Sequence, residues 1–357
     1  MRETKVTFKY LCYEIKKSLW AIVVLSALCT LPYVAMLASM SMIIRVPVGD
    51  GVYDTYLSGP NVEMVFVELA ALCYLAPMFV YSFKMNKRSV DAYYSLPIKR
   101  EKLYLVKTVV GLLIAFVPFT VAHFAGMLTL ALRPDNPYRM VMYLPAYFGG
   151  LLFGLCLYGV NAFLYTRANR MIDGVVFMIG YAFIAPFCIM YYEEVSSNYT
   201  ILWYEESATI TFGAFTVFPG AMSQYMRGFQ TVRQLTPFLF IYHVVLGAVG
   251  YLLFFVFLKK EKGENAEQVS ESWFGYKVLI PFYVAMFLAL SEFEFGAICV
   301  VLVGGIVALI VYRQKFVFSW KWWVMLAGAV CIGLLLCGMI ELTNLPVATP
   351  IPETYHS

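Results

Sequence analysis

Nine long apolar stretches, separated by polar or charged segments, constrain the fold of this chain more than any other feature. They cover roughly residues 19–43, 63–83, 104–131, 141–166, 173–192, 236–258, 274–291, 295–313 and 322–341. An α-helix needs about 20 predominantly apolar residues to cross a membrane. We therefore predict an all-α, polytopic transmembrane helical protein with about nine spans.

The composition fits this class of protein and excludes others. Of the 357 residues, 61% are hydrophobic and 13% are charged, whereas soluble domains carry about 25% charged residues. The basic residues are scattered between the apolar stretches and are not clustered on a water-facing domain, so we expect no nucleic-acid partner. The eight cysteines form no CxxC pair, which argues against a metal site or a disulfide framework.

The distribution of the basic residues predicts the orientation of the spans. If the N-terminus is cytoplasmic and all nine spans cross the membrane, 21 of the 26 Lys and Arg residues lie on the inside. An excess of Lys and Arg in the cytoplasmic connections is the bias that sets topology. We therefore predict a cytoplasmic N-terminus and an outside C-terminus.

The polar connections divide the chain into segments. Residues 1–18 place apolar and basic side chains on different sides of a helix, which predicts an amphipathic helix at the membrane interface. Residues 19–262 form a six-span core, with a charged inside loop at 84–103 and a re-entrant outside loop at 193–235. The remaining segments are a three-span C-terminal extension, residues 263–342, and an outside tail, residues 343–357.

Motifs for catalysis or nucleotide binding are absent from the sequence. His123 and His243 lie in apolar stretches without metal-ligand spacing, and there is no GxxxxGK[ST] loop. We expect each histidine to be bonded to a neighbouring helix; an intramembrane enzyme using either one is the alternative. We predict no catalytic, cofactor or metal site on this chain, so any ATP-driven role requires another polypeptide.

Small residues and prolines indicate how the spans pack. Gly150 and Gly154, four residues apart, allow two helices to approach closely. Prolines favour kinks, and each of the first five predicted spans contains one: Pro32, Pro77, Pro118, Pro145 and Pro186. These features fit either static packing or kinked helices that rearrange around a pathway.

The inside loop at 84–103 is the most charged segment of the chain. Pro97 disfavours a helical conformation at Leu96, so we predict a short helix at residues 88–94 and a new helix from Lys99. A short helix pinned between two spans is a natural contact for a soluble partner. The alternative is that its charges only anchor the loop at lipid headgroups.

This loop also carries a family pattern, Ser-x-Asp-x-Tyr-x-Ser-Leu-Pro-Ile-x-Arg. The matching residues are Ser89, Asp91, Tyr93, Ser95, Leu96, Pro97, Ile98 and Arg100. The pattern resembles the permease subunits of bacterial ATP-binding-cassette exporters of the second exporter class. The N-terminal amphipathic helix, the six-span core and the long outside loop are similar to that family, and the three extra spans resemble a longer subgroup from Firmicutes.

The resemblance implies a function and partners. The chain would be a transport subunit, not an enzyme, in a bacterial cell membrane. It would pair with a second permease, identical or related, and with cytoplasmic ATPase subunits that bind ATP-Mg. The exported substrate would be amphipathic: a lipid, a peptide antibiotic or an envelope precursor. The coupling helix and its turn would contact the ATPase through Arg88, Asp91, Tyr93, Ser95, Leu96, Pro97, Lys99 and Arg100. A membrane sensor or scaffold that recruits a partner without transport is the alternative.

Overall fold

Long α-helices make up most of the structure, a computed structural model that describes residues 2–39, 44–49, 52–56, 64–133, 141, 143–196, 232–258, 263–291, 293–313 and 319–343. The α-helices are α1 (Arg2–Ser39), α2 (Met64–Tyr81), α3 (Lys87–Tyr94), α4 (Arg100–Ala131), α5 (Tyr143–Thr166), α6 (Met171–Ser196), α7 (Val232–Leu258), α8 (Tyr276–Ala289), α9 (Phe295–Arg313) and α10 (Trp320–Thr343). Short 3-10 helices cover Ser82–Met85 and Gly263–Asn265. A helix therefore lies in each of the nine predicted spans.

Six of the described helices, α1, α2, α4, α5, α9 and α10, are long and apolar enough to cross a membrane. The structure describes apolar stretches of 10–17 residues within α6, α7 and α8, and α6 and α7 have 26 and 27 residues in full. Helix α8 has 14 residues and contains Pro281. The chain is thus a helical protein of membrane character, and a count of nine crossings stays a prediction.

Helix α1 is continuous from Arg2 to Ser39. The amphipathic helix predicted over residues 1–18 is the first part of this long helix, because the structure has no break there. The stretch between Lys16 and Ile22 contains neither Gly nor Pro, so no residue stops the helix. The interfacial position of residues 1–18 stays a prediction.

A two-stranded antiparallel hairpin lies between α1 and α2, and the all-α prediction missed it. Strand β1 (Ile44–Gly49) pairs with β2 (Val52–Tyr56), with Ile44 opposite Tyr56. The register is irregular between Pro47 and Gly49. A sequence signal exists: Gly49, Asp50 and Gly51 form a turn-type cluster between residues that favour strands.

Two compact units divide the chain. The first comprises residues 1–182 and 209–275, and the second comprises residues 183–208 and 276–357. The compact units divide at residue 275, and the predicted division into a core and a C-terminal extension after residue 262 stays a prediction. Residues 263–275 belong to the first unit because they bond to the connection after α5: the Glu267 N–H donates to Asn169 O at 3.0 Å, and Ser270 Oγ donates to Arg167 O at 2.9 Å.

In the first unit, α1 and α4 run side by side in the same direction. Glu14 and Lys107 meet near their beginnings, and Arg133 donates a hydrogen bond to Leu37 O at 2.6 Å near their ends. Helix α5 packs against α2 and α7. In the second unit, α8 packs against α9 and α10, with the Tyr276 and Tyr312 ring centroids 4.6 Å apart.

Four of the five prolines predicted to favour kinks divide into two groups, and the backbone of the fifth, Pro186, lies in α6. Pro32, Pro77 and Pro118 lie inside helices α1, α2 and α4, where each removes a backbone donor. Pro145 is the third residue of α5, where helix amides have no intrahelical acceptor. The kink predicted at Pro145 therefore has no physical basis.

Two predicted segments fall largely outside the described residues. Of the outside loop at 193–235, residues 197–231 are outside them, and so are residues 344–357 of the tail.

Candidate functional site

The candidate site begins with α3, the short helix predicted in the charged inside loop. The Asn86 side chain caps its start by accepting hydrogen bonds from the Arg88 N–H at 3.0 Å and the Ser89 N–H at 3.4 Å. An Asn at this position satisfies backbone donors that a helix start leaves without partners. The prediction of a short helix at residues 88–94 is confirmed.

A tight turn separates α3 from α4. The Ser95 N–H donates to Asp91 O at 3.1 Å, and Ser95 Oγ donates to Ala92 O at 2.9 Å, which closes the last turn of α3. The Ile98 N–H then bonds to Leu96 O at 2.7 Å around Pro97. Helix α4 starts at Arg100, so the new helix predicted from Lys99 is also confirmed to within one residue.

The eight predicted contact residues lie on this helix and turn, but they differ in exposure. Tyr93 and Leu96 are half-buried. Val90, which the prediction did not include, is 2% exposed and anchors α3 to the bundle. The exposed residues are Arg88, Asp91, Ser95, Pro97, Lys99 and Arg100. The guanidinium carbon of Arg100 lies 4.3 Å from the Tyr94 ring centroid, so this cation is held over an aromatic face.

Tyr93 connects α3 to two long helices. Its hydroxyl accepts a hydrogen bond from Lys17 Nζ of α1 at 3.3 Å and lies 3.5 Å from Lys107 Nζ of α4. Its ring centroid lies 4.6 Å from that of Phe83. A displacement of α3 therefore changes contacts on α1 and α4 together.

Directly behind Tyr93, a buried ion pair joins α1 to α4. Lys107 Nζ lies 2.9 Å from Glu14 Oε2, and the two side chains are 5% and 6% exposed. The Tyr10 hydroxyl donates to Glu14 Oε1 at 2.8 Å. Sequence reasoning missed this pair. One signal was available, since Glu14 is the single acidic residue between Lys5 and Asp50.

Other connections that the charge bias assigns to the inside lie at the same end of the first unit. Lys84 Nζ donates to Thr166 O at the end of α5. The Lys87 N–H donates to a Glu267 carboxylate oxygen at 3.3 Å, and Arg170 Nε donates to the Glu267 backbone oxygen at 2.9 Å. The loops after α2, α5 and α7 thus form one surface with α3.

The other predicted residues lie elsewhere in the first unit. Gly150 and Gly154 are buried on α5; a Cβ at Gly150 would lie 2.8 Å from a Phe119 carbon, and one at Gly154 would lie 2.9 Å from a Phe116 carbon. His123 is 1% exposed, and its Nε2 lies 3.2 Å from Tyr143 O of α5, which matches the expected bond to a neighbouring helix. The backbone of His243 lies in α7.

The structure offers no metal centre within its described residues: they contain no group of three or more His, Cys, Asp or Glu side chains placed to hold a metal ion. The sequence matches no protein-family model, and no curated protein and no solved structure is significantly similar to it.

Proposed function

We propose that the chain is the membrane-spanning permease subunit of an ATP-driven exporter in a bacterial cell membrane, with a cytoplasmic N-terminus and an outside C-terminus. Hydrolysis of ATP-Mg takes place on separate ATP-binding-cassette subunits, and a second permease, identical or related, completes the transporter. The cargo is amphipathic: a lipid, a peptide antibiotic or an envelope precursor. The observation that carries the proposal is the attachment of the exposed helix α3 to both α1 and α4 through Tyr93.

Helix α3 is suited to transmit movement from a soluble partner. A helix of eight residues is too short to be stable alone in water, so its position depends on the Asn86 cap, on buried Val90 and on the Tyr93 contacts. A partner that binds α3 and displaces it therefore also displaces its contacts on α1 and α4. Both of these helices are long enough to span the membrane.

The charge of the exposed surface indicates the chemistry of the partner groove. On residues 87–101, the four exposed cations at Lys87, Arg88, Lys99 and Arg100 outnumber the two exposed carboxylates of Asp91 and Glu101. Opposite charges across an interface steer association and exclude wrong partners. The ATPase groove that receives α3 is therefore expected to be acidic.

The test isolates the tagged full chain from the membranes of its own cell and identifies the co-purifying ATPase by mass spectrometry. The complex is then placed in proteoliposomes, and vanadate-sensitive ATP hydrolysis is measured. Arg88→Glu on α3 is expected to lower both recovery and ATP turnover by about tenfold, the loss that about 1.4 kcal/mol produces. Lys321→Glu, an equal charge reversal at an exposed position in the second unit, is the matched control.

Three outcomes contradict parts of the proposal. If Arg88→Glu and Lys321→Glu give equal ATPase recovery and equal ATP turnover, α3 does not contact the ATPase. If the purified complex contains no ATP-binding-cassette subunit, the chain is not the permease of an exporter of this class. In a third outcome, an ATPase binds the chain, but its turnover does not change and the complex moves no fluorescent phospholipid across the proteoliposome membrane. That result would favour the membrane sensor or scaffold.

A further inference from the structure

A cavity of about 420 Å³ lies behind α3, between α1, α2 and α4. Its volume falls within the range of about 300–1,000 Å³ that is common for small-molecule sites. Lys17 and Phe79, which line it, are both exposed, so the cavity opens to the surroundings of the protein.

The lining changes from polar to apolar in the same direction on three helices. On α1, Lys17 and Ser18 lie nearer the charged end, and Ala21 lies one turn deeper. On α4, Lys107 precedes Val110 and Ile114 in the same way. Helix α2 runs toward the charged end, so its apolar lining residues, Phe79 and Val80, come before the polar Ser82 and Asn86 that follow the helix. A ligand with a polar head and an apolar tail lying along the helices would match this gradient.

The charges of the cavity favour an anionic head. Its lining contains two lysines, Lys17 and Lys107, and one carboxylate, Glu14. Lys107 is paired with Glu14 at 2.9 Å, so Lys17 supplies the excess positive charge. Ser89 and Tyr93 also line the cavity, and a hydroxyl side chain can donate a hydrogen bond to a phosphate oxygen.

We propose that this cavity binds one anionic glycerophospholipid, with its phosphate at Lys17 and Ser89 and one acyl chain against Ala21, Phe79 and Ile114. The end of the first unit that carries α3 is the cytoplasmic one by charge bias. Anionic lipids are enriched in the cytoplasmic leaflet. A soluble anion would not need the apolar wall, and a neutral lipid would not need Lys17. The site depends on the membrane setting of the chain and not on the proposed transport function.

The test uses native mass spectrometry of the purified full chain, without any ATPase, at equal concentrations of phosphatidylglycerol and phosphatidylcholine. We expect preferential retention of phosphatidylglycerol. Lys17→Gln is expected to weaken that binding on the order of fivefold, the effect of one lysine near an anionic lipid surface. Lys16→Gln, the same change at the adjacent exposed lysine that does not line the cavity, is the matched control and is expected to weaken binding less than Lys17→Gln does.

A second pair of variants tests the apolar wall. Ala21→Trp fills the cavity beside Phe79 and should reduce lipid retention, whereas Ala27→Trp on the exposed surface of α1 should not. Equal retention of the two lipids, equal loss in both lysine variants or equal loss in both tryptophan variants would overturn the proposal. Binding of free glycerol 3-phosphate as tight as that of phosphatidylglycerol would also overturn it, because the site would then serve a soluble phosphate.

Discussion

Glu14 and Lys107 place two opposite charges where almost no water reaches either side chain. Removing one partner of such a pair leaves an uncompensated buried charge, and this costs about 3–5 kcal/mol, whereas replacing both partners by apolar residues is often neutral. The Tyr10 hydroxyl adds a hydrogen bond to the carboxylate. Because separating the two charges would leave each of them buried without a partner, the pair fixes the relative position of α1 and α4.

The first prediction follows from this penalty. Lys107→Met should lower the free energy of unfolding by about 3–5 kcal/mol, measured in mixed micelles with increasing dodecyl sulfate. The double variant Glu14→Leu with Lys107→Met should recover most of that loss. Lys9→Met, at an exposed lysine of α1, should change the free energy by less than about 0.5 kcal/mol. A double variant as unstable as Lys107→Met would show that packing, and not charge, explains the loss.

Tyr93 and Tyr94 provide a second, matched prediction at the scale of single residues. Tyr93→Phe removes the oxygen that contacts Lys17 and Lys107, and Tyr94→Phe removes an oxygen that lies 3.2 Å from the Tyr104 hydroxyl. Each change should cost about 0.5–1.5 kcal/mol of stability. Because only Tyr93 links α3 to α1 in these contacts, Tyr93→Phe alone should lower vanadate-sensitive ATP turnover in the purified complex. Equal turnover in the two variants would contradict this transmission role.

At the scale of helices, α5 and α7 approach each other through glycine. A Cβ at Gly247 of α7 would lie 2.6 Å from the Cys156 backbone of α5, and a Cβ at Gly250 would lie 2.9 Å from the Val160 backbone nitrogen. Backbone atoms cannot rotate away as a side chain can. The crossing of these two helices therefore depends on the absence of a side chain at Gly247 and Gly250.

The third prediction compares two glycine substitutions. Gly247→Ala should destabilise the protein by about 1–3 kcal/mol through overpacking. Gly304→Ala in α9 should be neutral or stabilise by up to about 1 kcal/mol, because a Cβ there meets no atom within 4 Å among the described residues. Unfolding in dodecyl sulfate micelles measures both. A larger loss for Gly304→Ala would indicate that α9 packs against a second copy or another protein.

How far the sequence predicts these helices depends on the range of the interaction. Apolar stretches mark the long helices, and Pro97 marks the end of α3, because both signals are local. Gly49 to Gly51 are a local signal for the hairpin, but the prediction was based on the apolar stretches, which do not indicate it. Glu14 and Lys107 are far apart in the chain, so nothing in the local pattern pairs them. Likewise, the glycine pattern predicts the close contacts of α5 at Gly150 and Gly154 but not the partner of Gly247.

At the scale of the whole molecule, the number of crossings decides on which side the later connections lie. Six helices meet the length and hydropathy needed to cross among the described residues. Helices α6 and α7 have 26 and 27 residues in full, whereas α8 has 14 residues and contains Pro281. A helix needs about 20 residues to cross the hydrocarbon core of the bilayer. A shorter helix can cross where the bilayer is thinner around it or where residues at its ends reach the polar headgroup region. Nine crossings place the start of α9 outside and the start of α10 inside. Eight crossings, in which α8 does not cross, reverse both positions, and so do six.

The fourth prediction uses this reversal. Glu294→Cys and Lys321→Cys, both at exposed positions, are made in a chain whose exposed cysteines are replaced by Ser: Cys12, Cys188, Cys299 and Cys331. On intact cells, a membrane-impermeant maleimide should label Glu294→Cys and should label Lys321→Cys only after lysis. Leu132→Cys serves as the outside control and Lys16→Cys as the inside control, because their sides do not depend on how many of α6, α7 and α8 cross. Labelling of Lys321→Cys, and not of Glu294→Cys, on intact cells would contradict nine crossings and would indicate that an odd number of the three helices α6, α7 and α8 does not cross.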